Sequence, residues 1–307
     1  MDGETGLAAI GDTPLLALPS VRPDGGARVV AKWEGANPSG SMKDRMARAM
    51  IRGAEADGTL DPGQHVVEYT GGSTGSALAM VCGVLDYPLT LLTADCFAAE
   101  KIRTMEALGA ELEILETPEG KVYPGLFDRM EARITELADE LDAHYTDQFD
   151  NPHHLEGYHP LGREIARECP DVTDFVMGVG TGGGAMGSAA GIRETVPDVT
   201  VTVVEPAESP YLTEREAGSH QVEGLALGVD PPYLESEGYD DAVAIPEEDG
   251  FATCRRLARE EGVFAGASTG LNVAAAVEVA RERDPDDVVA TVAVDTGLKY
   301  LHGDLYR

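Results

Sequence analysis

Basic residues are few in this chain. Lysine and arginine number 23 against 55 aspartates and glutamates, which leaves a formal net charge of −32 over 307 residues. Only five lysines occur, Lys32, Lys43, Lys101, Lys121 and Lys299. The long-range field of such a chain repels phosphate, which excludes nucleic acid as a partner. The acid is spread along the chain and no single block dominates, so it reads as a solvated surface suited to high salt. Cysteine is equally sparse. Cys82, Cys96, Cys169 and Cys254 fit neither a disulfide framework nor a zinc pattern, and we read them as buried thiols in a reducing compartment. No apolar run approaches the ~18 residues of a membrane span. The opening Met1-Asp2-Gly3-Glu4-Thr5 is acidic and carries no secretory pattern. We therefore expect a soluble, cytoplasmic protein with no membrane partner.

What is present is 43% hydrophobic content, ample for a large core and for two domains. Strand-like and helix-like runs alternate from end to end, the pattern of a doubly wound, mostly parallel α/β architecture, and it occurs twice. Strands are expected at 29–34, 65–69, 89–93, 111–115, 175–179, 199–204 and 288–294. Leu126, Met130, Ile134, Leu137 and Leu141 mark a long helix. A less regular acidic region covers about 206 to 241, followed by two further helices. In such sheets ligands bind where loops follow the carboxyl ends of strands. Four glycine-rich or small-residue loops have that placement: around Lys43, at 70–75, at 178–184 and at 295–297.

Lys43 follows the turn Asn37-Pro38-Ser39-Gly40-Ser41-Met42 and opens a helix-like run with Met42, Met46, Met50 and Ala54 spaced four apart. A cation is disfavoured at the positive end of a helix dipole, and the same field favours the neutral, nucleophilic amine. By itself such a lysine reads as a solvated surface residue. Gly178-Val179-Gly180-Thr181-Gly182-Gly183-Gly184 is the strongest local signal. Glycines there let several N–H groups converge at a helix N-terminus, an anion nest for phosphate, and five in seven exceed what a turn needs. Gly178, Gly180 and Gly183 also satisfy a dinucleotide pattern, with Glu205 as a ribose-binding acid, which keeps a nicotinamide-linked oxidoreductase in play. There is no Gly-Lys-Ser/Thr run, so a nucleotide-hydrolysing P-loop is excluded. The 70–75 loop, with hydroxyls at Thr70, Ser73 and Thr74, suits a carboxylate or an ordinary helix cap equally. His153, His154 and His159 form the one histidine cluster; adjacent histidines rarely share an ion, and we assign no metal.

A lysine, a phosphate nest and a carboxylate nest on three strand-to-helix loops describe a pyridoxal phosphate site for an amino-acid substrate. From about Ile10 to Leu301 the chain resembles the cysteine synthase and cystathionine β-synthase family, the fold type II pyridoxal phosphate enzymes. Ile10-Gly11-Asp12-Thr13-Pro14-Leu15 is similar to the family's N-terminal signature, and 37–43 to its lysine motif. Gly180 to Gly184 resembles its phosphate loop, Gly266-Ala267-Ser268-Thr269-Gly270 a small-residue segment near the cofactor, and Asp295-Thr296-Gly297-Leu298-Lys299-Tyr300-Leu301 its closing motif.

The resemblance implies two domains with the cofactor in the cleft between them. Residues 1–40 and 151–307 would form a larger phosphate-holding domain, and 41–150 a smaller one that closes over substrate. It places the Schiff base on Lys43, the phosphate on Gly180, Thr181, Gly182, Gly183 and Gly184, Thr296 at the pyridine nitrogen and Ser73 at the ring oxygen. Thr70, Gly71, Gly72, Thr74 and Gln148 would hold the substrate. The family usually reads Thr-Ser-Gly-Asn-Thr-Gly where this chain has Thr70-Gly71-Gly72-Ser73-Thr74-Gly75, and its carboxylate-binding glutamine falls at Asp147, with Gln148 adjacent. The implied activity is β-replacement on O-acetylserine or O-phosphoserine with sulfide or a thiol, in a homodimer. β-Elimination, as in a serine/threonine dehydratase or cysteine desulfhydrase, is the near alternative; a non-catalytic binding protein is a distant one.

Overall fold

The computed structural model describes residues 5–118, 125–227, 230–235 and 237–307. The chain divides into two compact units, one of Met1–Ile10 with Lys43–Gly157, the other of Gly11–Met42 with Tyr158–Arg307. The short N-terminal piece goes with the first unit because Arg48 donates to the carbonyls of Leu7 and Ile10, at 3.2 and 3.3 Å. The chain passes back into that unit between Met42 and Lys43.

The first unit holds four parallel strands, β3 (Val66–Tyr69), β4 (Leu89–Ala94), β5 (Glu111–Leu115) and β6 (His144–Tyr145), in the order β5-β4-β3-β6. Helices α1 (Lys43–Asp57), α2 (Ser73–Leu85), α3 (Ala99–Ala107) and α4 (Leu126–Leu141) accompany them. Met46, Met50 and Ala54 form the buried stripe of α1. Met42, though in phase with them, precedes the helix and belongs to the other unit. On α4 Leu126, Met130, Ile134 and Leu137 are buried against Val67, Tyr69 and Leu92, whereas Leu141 at the helix end is exposed. Each such burial contributes about 1.5–3 kcal/mol, which outweighs differences in helix propensity of under about 1 kcal/mol per residue.

The second unit holds β1 (Leu15–Ala17), β2 (Arg28–Trp33), β7 (Asp174–Gly178), β8 (Thr200–Pro206), β9 (Asp241–Ile245) and β10 (Val288–Ala293), in the order β1-β2-β10-β7-β8-β9. Only β1 is antiparallel, pairing Leu16 with Ala31 of β2. Strand β10 runs parallel between β2 and β7, so it is buried on both faces and reads as a near-continuous apolar run, Val-Val-Ala-Thr-Val-Ala, broken only by Thr291, whose hydroxyl donates to the Val176 carbonyl at 2.7 Å. Helices α5 (His159–Glu168), α6 (Gly183–Arg193), α7 (Glu247–Glu260) and α8 (Ala267–Arg281) complete it. Helices α5 and α6 pack closely enough that a Cβ on Gly162 would lie 1.9 Å from the Ser188 carbonyl oxygen.

This topology sets the site. In the second unit the carboxyl ends of β2, β10 and β7 are neighbours, so the loops after them, 34–42, 294–297 and 179–182, emerge side by side. In the first unit the same holds for β4, β3 and β6, whose loops carry Phe97, residues 70–72 and Gln148. Among the described residues no helix is long and apolar enough to cross a membrane.

Candidate active site

The lysine loop of the second unit is pinned from behind by a buried polar network. Glu34, fully buried at the end of β2, accepts from the Thr13 hydroxyl at 2.6 Å and from Asn37 Nδ2 at 2.7 Å. Asn37 Oδ1 in turn accepts from Gly11 N at 2.9 Å. Residues of the N-terminal signature and of the lysine loop are therefore one hydrogen-bonded structure. The loop's far end is fixed as firmly. Met42 N donates to the Val294 carbonyl at 2.9 Å, Thr296 N to that of Gly40 at 3.0 Å, and Ser41 bridges to Asp295. The Met42 methyl lies against Gly184, where a Cβ would meet it at 2.9 Å. The residue bonded to Met42 is Lys43, half-buried at the first position of α1.

The glycines after β7 are needed for more than one reason. Gly182 precedes α6 with φ of +90°, a conformation other residues rarely adopt. Gly178 and Gly180 are required by packing: a Cβ would lie 2.8 Å from Asn272 Oδ1 at the first and 2.2 Å from the Gly224 carbonyl oxygen at the second. The acidic region is thereby drawn onto the loop, with Ala226 N donating to Val179 O and Tyr233 N to Thr181 O. Glycine richness here is as much close approach as open nest. The first-turn amides of the 11-residue α6 still have no intrahelical acceptors, and the helix dipole favours an anion facing them.

Thr296 closes the set. Its hydroxyl accepts from Leu298 N at 3.3 Å, which leaves its own O–H to donate. The neighbouring Asp295, 2% exposed, turns its carboxylate to Gly266 and takes the Tyr300 hydroxyl at 2.8 Å.

In the first unit, the 70–75 loop and Gln148 come together. Thr74 Oγ1 donates to Gln148 Oε1 at 2.8 Å, and Gln148 Nε2 donates to the Tyr69 carbonyl at 3.1 Å. Asp147, by contrast, takes φ of 44° and turns its carboxylate back to Phe149 N at 3.2 Å. It is Gln148, not Asp147, that meets the loop. Gly72 N donates to Thr70 Oγ1 at 3.1 Å, and Ser73 opens α2. A Cβ at Gly71 would lie 2.5 Å from the Phe97 ring, so an aromatic edge fills the space a serine side chain would need.

His154, at 1% exposure, is a residue whose role the sequence did not announce. Its ring is bonded to the Gln148 backbone; burial first, and the positive charge of Lys43 second, push its imidazole down to about 3. An unfolded histidine titrates near 6.5, so between these values the unfolded chain binds a proton that the native state refuses. Native stability thus rises with pH across this window and is lost on acidification. We expect wild type to lose about 3 kcal/mol more than His154→Asn between pH ~6.5 and ~4. Thermal unfolding across that range checks it, and superimposable acid limbs would contradict it. His153 instead pairs with Asp57 at 2.8 Å, which holds its ring above the usual value, and the cluster divides into separate structural roles.

Two further expectations change. Glu205 is buried and accepts from Leu212 N, Thr213 N and the Thr213 hydroxyl at 2.7 to 2.9 Å, so it organises a turn and offers no ribose contact. Cys82, Cys169 and Cys254 are buried with thiols pushed up to about 12 by burial, but Cys96 is partly exposed. Its thiol too is raised, chiefly by burial, so no cysteine is poised as a nucleophile.

A primary amine after an anchored loop, a helix N-terminus for an anion and a neutral hydroxyl donor for a ring nitrogen fit pyridoxal phosphate. The profile of the family described as "Pyridoxal-phosphate dependent enzyme" matches residues 7–295. The chain is 40% identical over 303 residues to the Bacillus subtilis (strain 168) protein named "Probable cysteine synthase", covering 97% of this chain and 96% of that one. Among solved structures it is similar to O-ureido-L-serine synthase, with a TM-score of 0.91 and 33% identity over 99% of this chain and 95% of that one. It is similar also to a hydrogen sulfide-producing enzyme from Fusobacterium nucleatum, with a TM-score of 0.89 and 30% identity over 97% of this chain and 99% of that one. The chain belongs to the family of pyridoxal-phosphate dependent enzymes, in its cysteine synthase branch.

Proposed function

We propose that this enzyme replaces the β-substituent of an activated serine, O-acetylserine or O-phosphoserine, with sulfide or a thiol, giving cysteine or a related amino acid. The observation that carries the reading is the anchoring of the lysine loop. Met42 is bonded to the closing motif and packed on Gly184, and the next residue is a lysine opening a helix. The cysteine synthase relative at 40% identity supports the same chemistry.

Bound pyridoxal phosphate supplies the electron sink for loss of a proton from Cα and of a leaving group from Cβ. Lys43 would be the residue that holds the cofactor through its aldehyde, and its amine would serve as the general base for the Cα proton. The amides of Gly180, Thr181, Gly182, Gly183 and Gly184 hold the phosphate. Thr296 would offer a neutral hydroxyl to the ring nitrogen, and a ring nitrogen left uncharged would suit expulsion of a good β-leaving group better than transamination. Ser73 serves the ring oxygen. Thr70, Gly71, Gly72, Thr74 and Gln148 hold the substrate carboxylate. We read the protein as cytoplasmic and homodimeric, with a surface adapted to high salt.

Elimination is the second reading, favoured by the likeness to the hydrogen sulfide-producing enzyme and by the missing serine and asparagine side chains at 71 and 73. The two separate on products from O-acetylserine, O-phosphoserine, serine and cysteine, each with and without sulfide. Replacement predicts cysteine from an activated serine only when sulfide is present. Pyruvate and ammonia at the same rate with or without sulfide would overturn it in favour of elimination.

A further inference from the structure

Glu68 is an acid in the middle of an apolar strand, Val66-Val67-Glu68-Tyr69, every residue of which is buried. A carboxylate at 0% exposure is expensive unless its lone pairs are filled, and here they are. Oε1 accepts from Tyr69 N at 2.9 Å; Oε2 accepts from the Thr146 hydroxyl at 2.7 Å and from Gln148 N at 3.0 Å. Burial raises its proton affinity, pushing it up to about 8 against the pull of these donors. Two of the three donors come from the turn after β6. That turn passes through Asp147 at φ of 44°, a left-handed conformation that costs roughly 1 kcal/mol or more and persists only where neighbours hold it.

The consequence falls on Gln148. Its backbone is held by Glu68, and its carboxamide is oriented without ambiguity, because the Tyr69 carbonyl can only accept and so must face Nε2. With Oε1 taking the Thr74 hydroxyl, one N–H of the carboxamide is left to donate. We propose that Glu68 is a positioning residue for the substrate carboxylate: from inside β3 it locks the 146–148 turn so that Gln148, its carboxamide oxygen held by the Thr74 hydroxyl, presents a preformed N–H donor. The proposal rests on the reading of Gln148 as a carboxylate ligand, and it adds a residue that never touches substrate.

The test compares Glu68→Gln, Thr146→Val and Gln148→Ala in the cofactor-loaded enzyme, with O-acetylserine and sulfide as probes. Glu68→Gln sets an N–H against either the Tyr69 amide or the Thr146 and Gln148 donors, which loosens the lock, and should raise KM for O-acetylserine about tenfold, with kcat within about twofold. KM for sulfide and the visible absorbance of the bound cofactor should stay as in wild type. Thr146→Val removes one donor from the other side and should raise the same KM about threefold, which keeps the test open where Glu68→Gln does not fold. Gln148→Ala should raise KM for O-acetylserine at least as much as Glu68→Gln. A normal KM in Glu68→Gln and Thr146→Val with a raised one in Gln148→Ala would overturn the role of Glu68 and leave the clamp intact. A normal KM in Gln148→Ala would overturn the clamp and the inference with it. Loss of cofactor and of kcat together, with KM unmoved, would mark Glu68 as a purely structural residue and also overturn it.

Discussion

Lys43→Ala is expected to lose turnover by about 10⁴-fold or more while folding normally. The change removes the amine assigned both to carry the cofactor and to take the Cα proton, and general-base catalysis alone accounts for up to about 10⁴-fold. Folding should survive because Lys43 is only half-buried and stands at the first position of α1, where alanine is well tolerated. The stripe that holds this helix, Met46, Met50 and Ala54, is untouched. The cofactor should still bind, since the phosphate nest proposed after β7 does not involve the amine, but the visible absorbance of a lysine-linked cofactor should be missing. Steady-state rates with an activated serine and sulfide, together with the absorbance spectrum, check both halves. A variant retaining more than a few per cent of wild-type kcat would remove Lys43 from the chemistry.

The second large effect is on stability, at a residue far from the reacting atoms in role. Lys32 is fully buried in β2, with Nζ 3.0 Å from Glu164 and 2.8 Å from Glu168 of α5, and 2.5 Å from the Thr13 carbonyl oxygen. Removing the cation from such a cluster strands two carboxylates, one of them 8% exposed, and breaking a buried pair from one side costs about 3–5 kcal/mol. Lys32→Met should therefore lower stability by about that much, seen as a lower urea midpoint and a melting temperature several degrees down. The same change loosens Thr13, which holds Glu34 and through it Asn37, so cofactor retention should weaken as well. A loss below about 1 kcal/mol would show that the cluster is better solvated than its burial implies.

The alternating α/β pattern was legible because most strands are long or doubly buried and most helices carry a clear stripe. What escaped was short, marginal or non-local. Strands β1 and β6, at sheet edges, have three and two residues, too few for a period to emerge, and the edge strand β9 opens on Asp241, where the irregular acidic region ends. Helix α5 opens on His159-Pro160, which reads locally as a turn, although Leu161 and Ile165 are buried on it. Nothing local in the sequence separates Cys96 from the three buried cysteines, yet it follows the end of β4 and is partly exposed.

At the site, loop positions could be read from composition, since glycine and small residues mark strand ends. Their partners could not. That Glu205 is consumed by residues 212 and 213, or that Gln148 rather than Asp147 faces Thr74, depends on backbone turns of one residue's difference. Glycine at 178 and 180 answered to Asn272 and Gly224, contacts across dozens of residues that no local pattern encodes. Glu68 did leave a signal, a lone acid amid Val-Val-Tyr. His154 left only the weak one of being half of a histidine pair.

Borohydride reduction of the protein loaded with pyridoxal phosphate, followed by peptide mapping, tests the central assignment most directly. A single cofactor-derived mass addition on Lys43, absent from Lys43→Ala, is the predicted result. The addition found on Lys32, Lys101, Lys121 or Lys299 instead, or on no lysine at all, would contradict it.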